Sequence, residues 1–114
     1  MHVQVKRIYD TPSESDGYRV LVDRLWPRGV SKEHAQLDTW FKDIAPSPEL
    51  RQWFDHKPER FEEFTIRYRE ELDHNPAVAE LRDIITSHQK VTLLYAAKDP
   101  SVNHAVVLLD YLQQ

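Results

Sequence analysis

The chain has 114 residues and a mass of 13.5 kDa, a length for one domain that buries roughly 65% of its unfolded surface. Hydrophobic residues make up 40% and charged residues 30%, which excludes a disordered chain. The absence of Cys excludes disulfides, thiolate metal sites and cysteine nucleophiles, and 15 basic against 19 acidic residues, a net charge of −4, argue against a sequence-independent grip on nucleic acid.

In chain order, Val3, Val5 and Arg7 alternate with Gln4, Lys6 and Ile8, a period of two that predicts a strand over residues 3–8. Asp10 to Gly17 is turn chemistry. A second strand is predicted over 18–24, and its continuously apolar Val20-Leu21-Val22 centre calls for cover on both faces. Trp26-Pro27-Arg28-Gly29 breaks it. Ser31 then caps a short helix over 32–37. Residues 38–44 read as a short strand or extended segment. Ser47-Pro48-Glu49 places a cap, a proline at the first helical position and an acid in the first turn. Leu50, Trp53 and Phe54 share one face of that helix. Pro58-Glu59 opens another, to about Asp73, with Phe61, Phe64, Tyr68 and Leu72 at helical spacing. These aromatics, with Trp40, read as core. Asn75-Pro76 opens a helix with Val78, Leu81 and Ile85 inward. Residues 91–95 form a second buried strand, and Asp99-Pro100-Ser101 caps a last, largely buried helix through Leu112.

Strands alternating with helices predict an α/β fold: a small, mainly parallel sheet flanked by about five helices. The Val20 and Leu93 strands are apolar enough to be parallel neighbours at its centre. The loop from Asp10 to Gly17 is short for a helical crossover, which raises an antiparallel first strand as one option and leaves its direction open. No run of about 18 apolar residues exists, so no membrane span is expected. His-Val-Gln-Val-Lys-Arg after Met1 lacks the apolar stretch of a secretory signal. The expected location is the cytoplasm.

Open α/β sheets bind ligands beyond the carboxyl ends of their strands. Asp23-Arg24 end the second strand, Arg28 and Gly29 follow, and the last strand runs out into Lys98-Asp99, with Asn103-His104 close behind. Arg24, Arg28, Lys98 and Asn103 are therefore candidate ligands for a small anion, a phosphate or nucleotide. Arg suits bidentate contacts to such groups, and helix starts after Ser31 and Pro100 offer free N–H groups. His104 and Asp23 are the candidate acid/base pair for a hydrolytic or transfer reaction. Each residue also has a purely structural reading: Asp23 paired with Arg24, Arg28 on its own loop's carbonyls, His104 as packing, Asp99 as a cap. The six His residues are scattered. No metal site and no cofactor is expected. The alternative function is a non-catalytic module that binds protein or nucleic acid through the Trp-Pro-Arg loop. Nothing in the sequence sets an oligomeric state.

Residues 6–10, 16–30 (with its Asp-Arg-Leu-Trp-Pro-Arg-Gly run), 37–47 and 94–100, followed by Asn103-His104, resemble the YeaO-like proteins of the DUF488 domain family over almost the whole chain. The resemblance implies a small α/β protein and brings no particular reaction with it. In the wider family an Asp-Arg pair ends the early strand, Cys-Ala-Glu ends the late strand, and Cys-His-Arg follows. Asp23-Arg24 match the first. Tyr95-Ala96-Ala97 replaces the second, and Asn103-His104-Ala105 retains only the His of the third. The resemblance therefore favours anion binding over catalysis.

Overall fold

A computed structural model describes residues 2–114. Four strands, β1 (Val3–Arg7), β2 (Tyr18–Leu21), β3 (Thr39–Trp40) and β4 (Val91–Tyr95), form one sheet in the order β1-β4-β2-β3. Every neighbouring pair is parallel. Five helices accompany them: α1 (Lys32–Ala35), α2 (Pro48–Phe54), α3 (Phe61–Asp73), α4 (Ala77–Thr86) and α5 (His104–Leu112).

The α/β class and the central β2–β4 pair match the sequence reading, and the direction of the first strand, open in the sequence, is parallel. β1 and β2 are not neighbours. β4 lies between them, and all three run the same way. The return is made without a helix, by an extended segment and a 3-10 turn, Glu14–Asp16. Ten residues of extended chain reach about 33 Å, ample to come back along a strand of four. The segment 38–44 is also shorter as a strand than expected: only Thr39–Trp40 pair with β2, and Lys42–Ile44 form a 3-10 turn.

The register explains the two faces. Gln4, Thr92 and Arg19 lie in one row and Lys6, Leu94 and Leu21 in the next. This face is polar at its start, where Thr92 Oγ1 donates to the Asp16 carbonyl at 2.6 Å. It is apolar at its end, where Ile8, Leu21 and Leu94 pack under Val30, Ala35, Trp26, Leu37 and Trp40. The opposite face carries Val91, Leu93, Val20 and Val22. It packs against the helical layer through Phe54, Phe64, Tyr68, Leu72, Leu81, Ile85 and Leu108. Phe54 stacks on Phe64 with ring centroids 4.3 Å apart. Of the expected aromatic core, Trp53 and Phe61 are only half-buried at its margin, and Trp40 packs on the other side of the sheet.

The predicted caps at Ser31 and Ser47 are in place, each Oγ accepting an amide N–H from the first turn. The last helix starts later than expected. Asp99 Oδ1 accepts from the Ser101 and Val102 amides and closes only a turn. Asn103 is the true cap, its Oδ1 accepting from Val106 N–H at 3.0 Å. No helix of the described residues is long and apolar enough to cross a membrane.

Candidate functional site

A cleft of about 780 Å³ opens beyond the carboxyl ends of β2 and β4. Asp23, Arg24, Arg28, Lys98, Asn103 and His104, the six residues singled out from the sequence, all line it.

The loop from Asp23 to Gly29 forms one wall, and three hydrogen bonds fasten it. Trp40 Nε1 donates to the Asp23 carbonyl at 2.8 Å, Trp26 Nε1 to the Val30 carbonyl at 2.8 Å, and the Tyr9 hydroxyl to the Arg28 carbonyl at 2.8 Å. Pro27 to Val30 is a tight turn closed by a Val30 N–H bond to the Pro27 carbonyl. Gly29 takes φ +77° there, the left-handed value that the third residue of such a turn requires. The turn presents Arg28 at its corner. Its side chain is exposed and unpaired among the described residues, although its backbone is held.

Arg24 does not pair with Asp23. Its guanidinium donates to the carbonyls of Ala45 at 3.3 Å and Pro46 at 3.4 Å, joining the loop to the opposite wall. That wall is anchored from behind. Glu71 accepts from the Ser47 amide at 2.9 Å and from the Ser47 hydroxyl at 2.6 Å. The Tyr68 hydroxyl donates to the Ile44 carbonyl at 2.7 Å. Burial, reinforced by the charges of Glu71 and Asp23, pushes the Tyr68 phenol well above its ordinary range, so it remains a donor.

At the floor, Asp23 Oδ2 accepts from the Ala96 amide at 3.0 Å and ties the two strand ends together. Asp23 Oδ1 lies 3.1 Å from His104 Nε2. The N–H direction of that ring nitrogen serves the Val22 carbonyl at 3.0 Å instead, which leaves Oδ1 buried without a hydrogen bond. Asn103 spends its amide inside the chain, donating to the Asp99 carbonyl and capping α5. It lines the cleft with its Oδ1 and one amide N–H already engaged within the chain. Lys98 is exposed and unpaired among the described residues. The helix start after Ser31 contributes nothing to the lining, and the one after Pro100 lies at His104 instead.

Sequence reasoning missed Arg51 and His56, which also line the cleft. Asp55 and His56 both take positive φ, 50° and 56°, and turn the chain back at the end of α2. Asp and His are enriched in that conformation, so Asp55-His56 just ahead of Pro58 was the available signal. Phe54, Phe64, Ala96 and Ala97 give the cleft an apolar lining. Four cationic side chains face two anionic ones in it, in a chain of net charge −4. A shallower hollow of about 590 Å³ lies between α2 and α3. Glu71 and His74 line it at the three-residue spacing of metal ligands, but the Glu71 carboxylate is spent on Ser47. No group of three or more metal-ligating side chains exists among the described residues.

Residues 2–114 match the family described as the inactive DUF488-N3 subclade. The chain is 47% identical to the uncharacterized protein YeaO of Escherichia coli (strain K12) over 114 residues, 99% of this chain and 98% of that one. It is also 47% identical over 110 residues to an uncharacterized protein of Mycobacterium tuberculosis (strain H37Rv), covering 96% of this chain and 92% of that one. No solved structure matches it.

Proposed function

The chain belongs to the DUF488 family, within its inactive DUF488-N3 subclade, and from that premise we propose that it is a cytoplasmic protein that binds a small anion, a phosphate or nucleotide, in the strand-end cleft without turning it over. The observation that carries the proposal is the set of unpaired cations. Arg28, Arg51 and Lys98 border one concavity, and none is engaged by a carboxylate or carbonyl of the described residues. An acidic protein that gathers free positive charge around one deep cleft favours an anionic ligand there. The volume lies within the range of small-molecule sites, and the apolar lining suits a ligand with an organic body.

Two features favour binding over turnover. The lining has no Ser, Thr or Cys to act as nucleophile. The one hydroxyl, that of Tyr9, is committed to the Arg28 carbonyl. The alternative of an interaction module has less support, because only three large hydrophobic side chains are exposed among the described residues. Two of them, Tyr9 and Leu25, belong to the cleft wall itself.

Chemical-shift mapping tests the proposal. Titration with inorganic phosphate, phosphate monoesters and nucleotides is expected to move the backbone amides of Gly29, Lys98 and His104, with Arg51 and His56 following. Arg28→Ala and Lys98→Ala each weaken binding, and added salt weakens it further. Shifts confined to surfaces away from the cleft, or none at all, contradict the proposal.

A further inference from the structure

His104 has two ring nitrogens in opposite circumstances. Nε2 is 3.0 Å from the Val22 carbonyl oxygen and 3.1 Å from Asp23 Oδ1. Both neighbours are acceptors, so in the neutral ring Nε2 carries the proton and Nδ1 is a lone pair. Nδ1 makes no hydrogen bond among the described residues, yet the only buried side-chain polar atom without a partner among them is Asp23 Oδ1. Nδ1 is therefore accessible, and the space His104 borders is the cleft. Turning the ring over would set a carbon against the Val22 oxygen and forfeit that bond. The edge-on contact with the Tyr68 ring, centroids 6.2 Å apart, holds the ring on its other side.

An exposed lone pair does not suit a bare oxyanion, since acceptor would meet acceptor. It suits a ligand that carries a hydroxyl or N–H donor in addition to its anionic group. The cleft also has far more room, about 780 Å³, than the five heavy atoms of a phosphate ion fill. Its free cations, Arg28, Arg51 and Lys98, are exposed, whereas His104 is half-buried. The ligand's two groups are thereby sorted, with the anion toward the mouth and the donor toward the floor.

Resting on the anion-binding reading above, we infer that His104 is a specificity-determining residue and that the ligand is a hydroxylated phosphate ester of sugar phosphate type, whose hydroxyl donates to His104 Nδ1. Asp23 is a positioning residue: its carboxylate lies 3.1 Å from Nε2 and favours a proton there, which the Val22 carbonyl accepts, leaving Nδ1 free.

The test compares ribose 5-phosphate with tetrahydrofurfuryl phosphate, which has the same phosphate and ring size but no ring hydroxyls, by calorimetry at mildly alkaline pH. The wild-type protein should bind ribose 5-phosphate at least tenfold tighter, because a site built around a hydrogen bond rejects the analogue that lacks it. His104→Phe should bind the two alike and keep the affinity for tetrahydrofurfuryl phosphate. Should that variant fail to fold, nitrogen-15 spectra of the wild-type histidines provide the second measurement. The Nδ1 resonance of His104 should move with ribose 5-phosphate and stay with its analogue. Equal wild-type affinities, or a preference that survives His104→Phe, would overturn the inference and leave the anion site standing. If neither ester binds, the inference falls, and the anion-binding reading falls with it only when inorganic phosphate and nucleotides also leave the cleft unmoved.

Discussion

Asp16 and Arg19 lie inside the protein, 1% and 4% exposed, and their charges are satisfied only by one another and by close neighbours. Arg19 Nη1 is 2.5 Å from Asp16 Oδ2, and its Nε and Nη2 donate to the Ala35 carbonyl. Lys6 Nζ reaches Asp16 Oδ1 at 3.0 Å, and the Ser13 amide donates to Oδ2 at 2.9 Å. Burial alone would raise the Asp16 carboxyl. The bonds from Lys6, Ser13 and Arg19 outweigh it and hold the pKa below the ordinary carboxylate value. The folded state thus binds this proton less readily than the unfolded chain. The resulting stability is complete above about pH 4 and fades as the pH falls through the depressed folded value. Asp16→Asn leaves the buried Arg19 charge uncompensated and should cost roughly 3–5 kcal/mol. In urea titrations across acid pH, the variant should also lose less stability on acidification than the wild type does. Two glycines give a second comparison at this scale. A Cβ at Gly17, φ +66°, would meet the Lys90 carbonyl oxygen at 2.4 Å, whereas one at Gly29, φ +77°, meets nothing within 4 Å. Gly29→Ala pays only the left-handed backbone cost, about 1–2 kcal/mol. Gly17→Ala adds a clash with backbone and should lower the melting point clearly more.

α3 supplies the strongest test among the elements. Phe64 is 1% exposed and stacks on Phe54 and Phe61. Phe64→Ala should cost about 3–5 kcal/mol in denaturant unfolding, as emptying a core aromatic site usually does. Because Phe64 also lines the cleft, the same change should weaken ligand binding. This helix was legible because Phe61, Phe64, Tyr68 and Leu72 fall at its period, and the caps at Ser31 and Ser47 were legible from their side-chain oxygens. The direction of β1 was not. It depends on β4, whose residues pair with those of β1 across 88 positions of sequence (Val3 with Val91), and a loop length carries no record of that. The start of α5 was misplaced for a related reason. Asp99, Ser101 and Asn103 can all cap, and tertiary placement of the helix selects Asn103.

Across the whole molecule, the sheet brings together residues far apart in sequence, Asp23 beside Ala96 at 73 positions and His104 beside Val22 at 82. Strand-end placement made Asp23, Arg24, Arg28, Lys98, Asn103 and His104 readable as neighbours, because their loops leave two adjacent parallel strands at the same edge. Their division of labour was not readable. Arg24 and Asn103 are spent on holding walls, Arg51 arrives from α2, and His56 arrives on the left-handed turn that ends it. The central claim is that the free cations of this cleft serve a ligand and not the fold. It is tested most directly by the melting temperature of wild type and Arg28→Ala with and without a phosphate ester or nucleotide that titrates the cleft. At a hundred times its dissociation constant the ligand should stabilise the wild type by about 2.7 kcal/mol, a rise of roughly 10 °C for a domain of this size. Arg28→Ala should melt where the unliganded wild type melts and show little or no rise. A wild type that no phosphate or nucleotide shifts, together with an Arg28→Ala protein that melts well below it, would contradict the account and make Arg28 a structural residue.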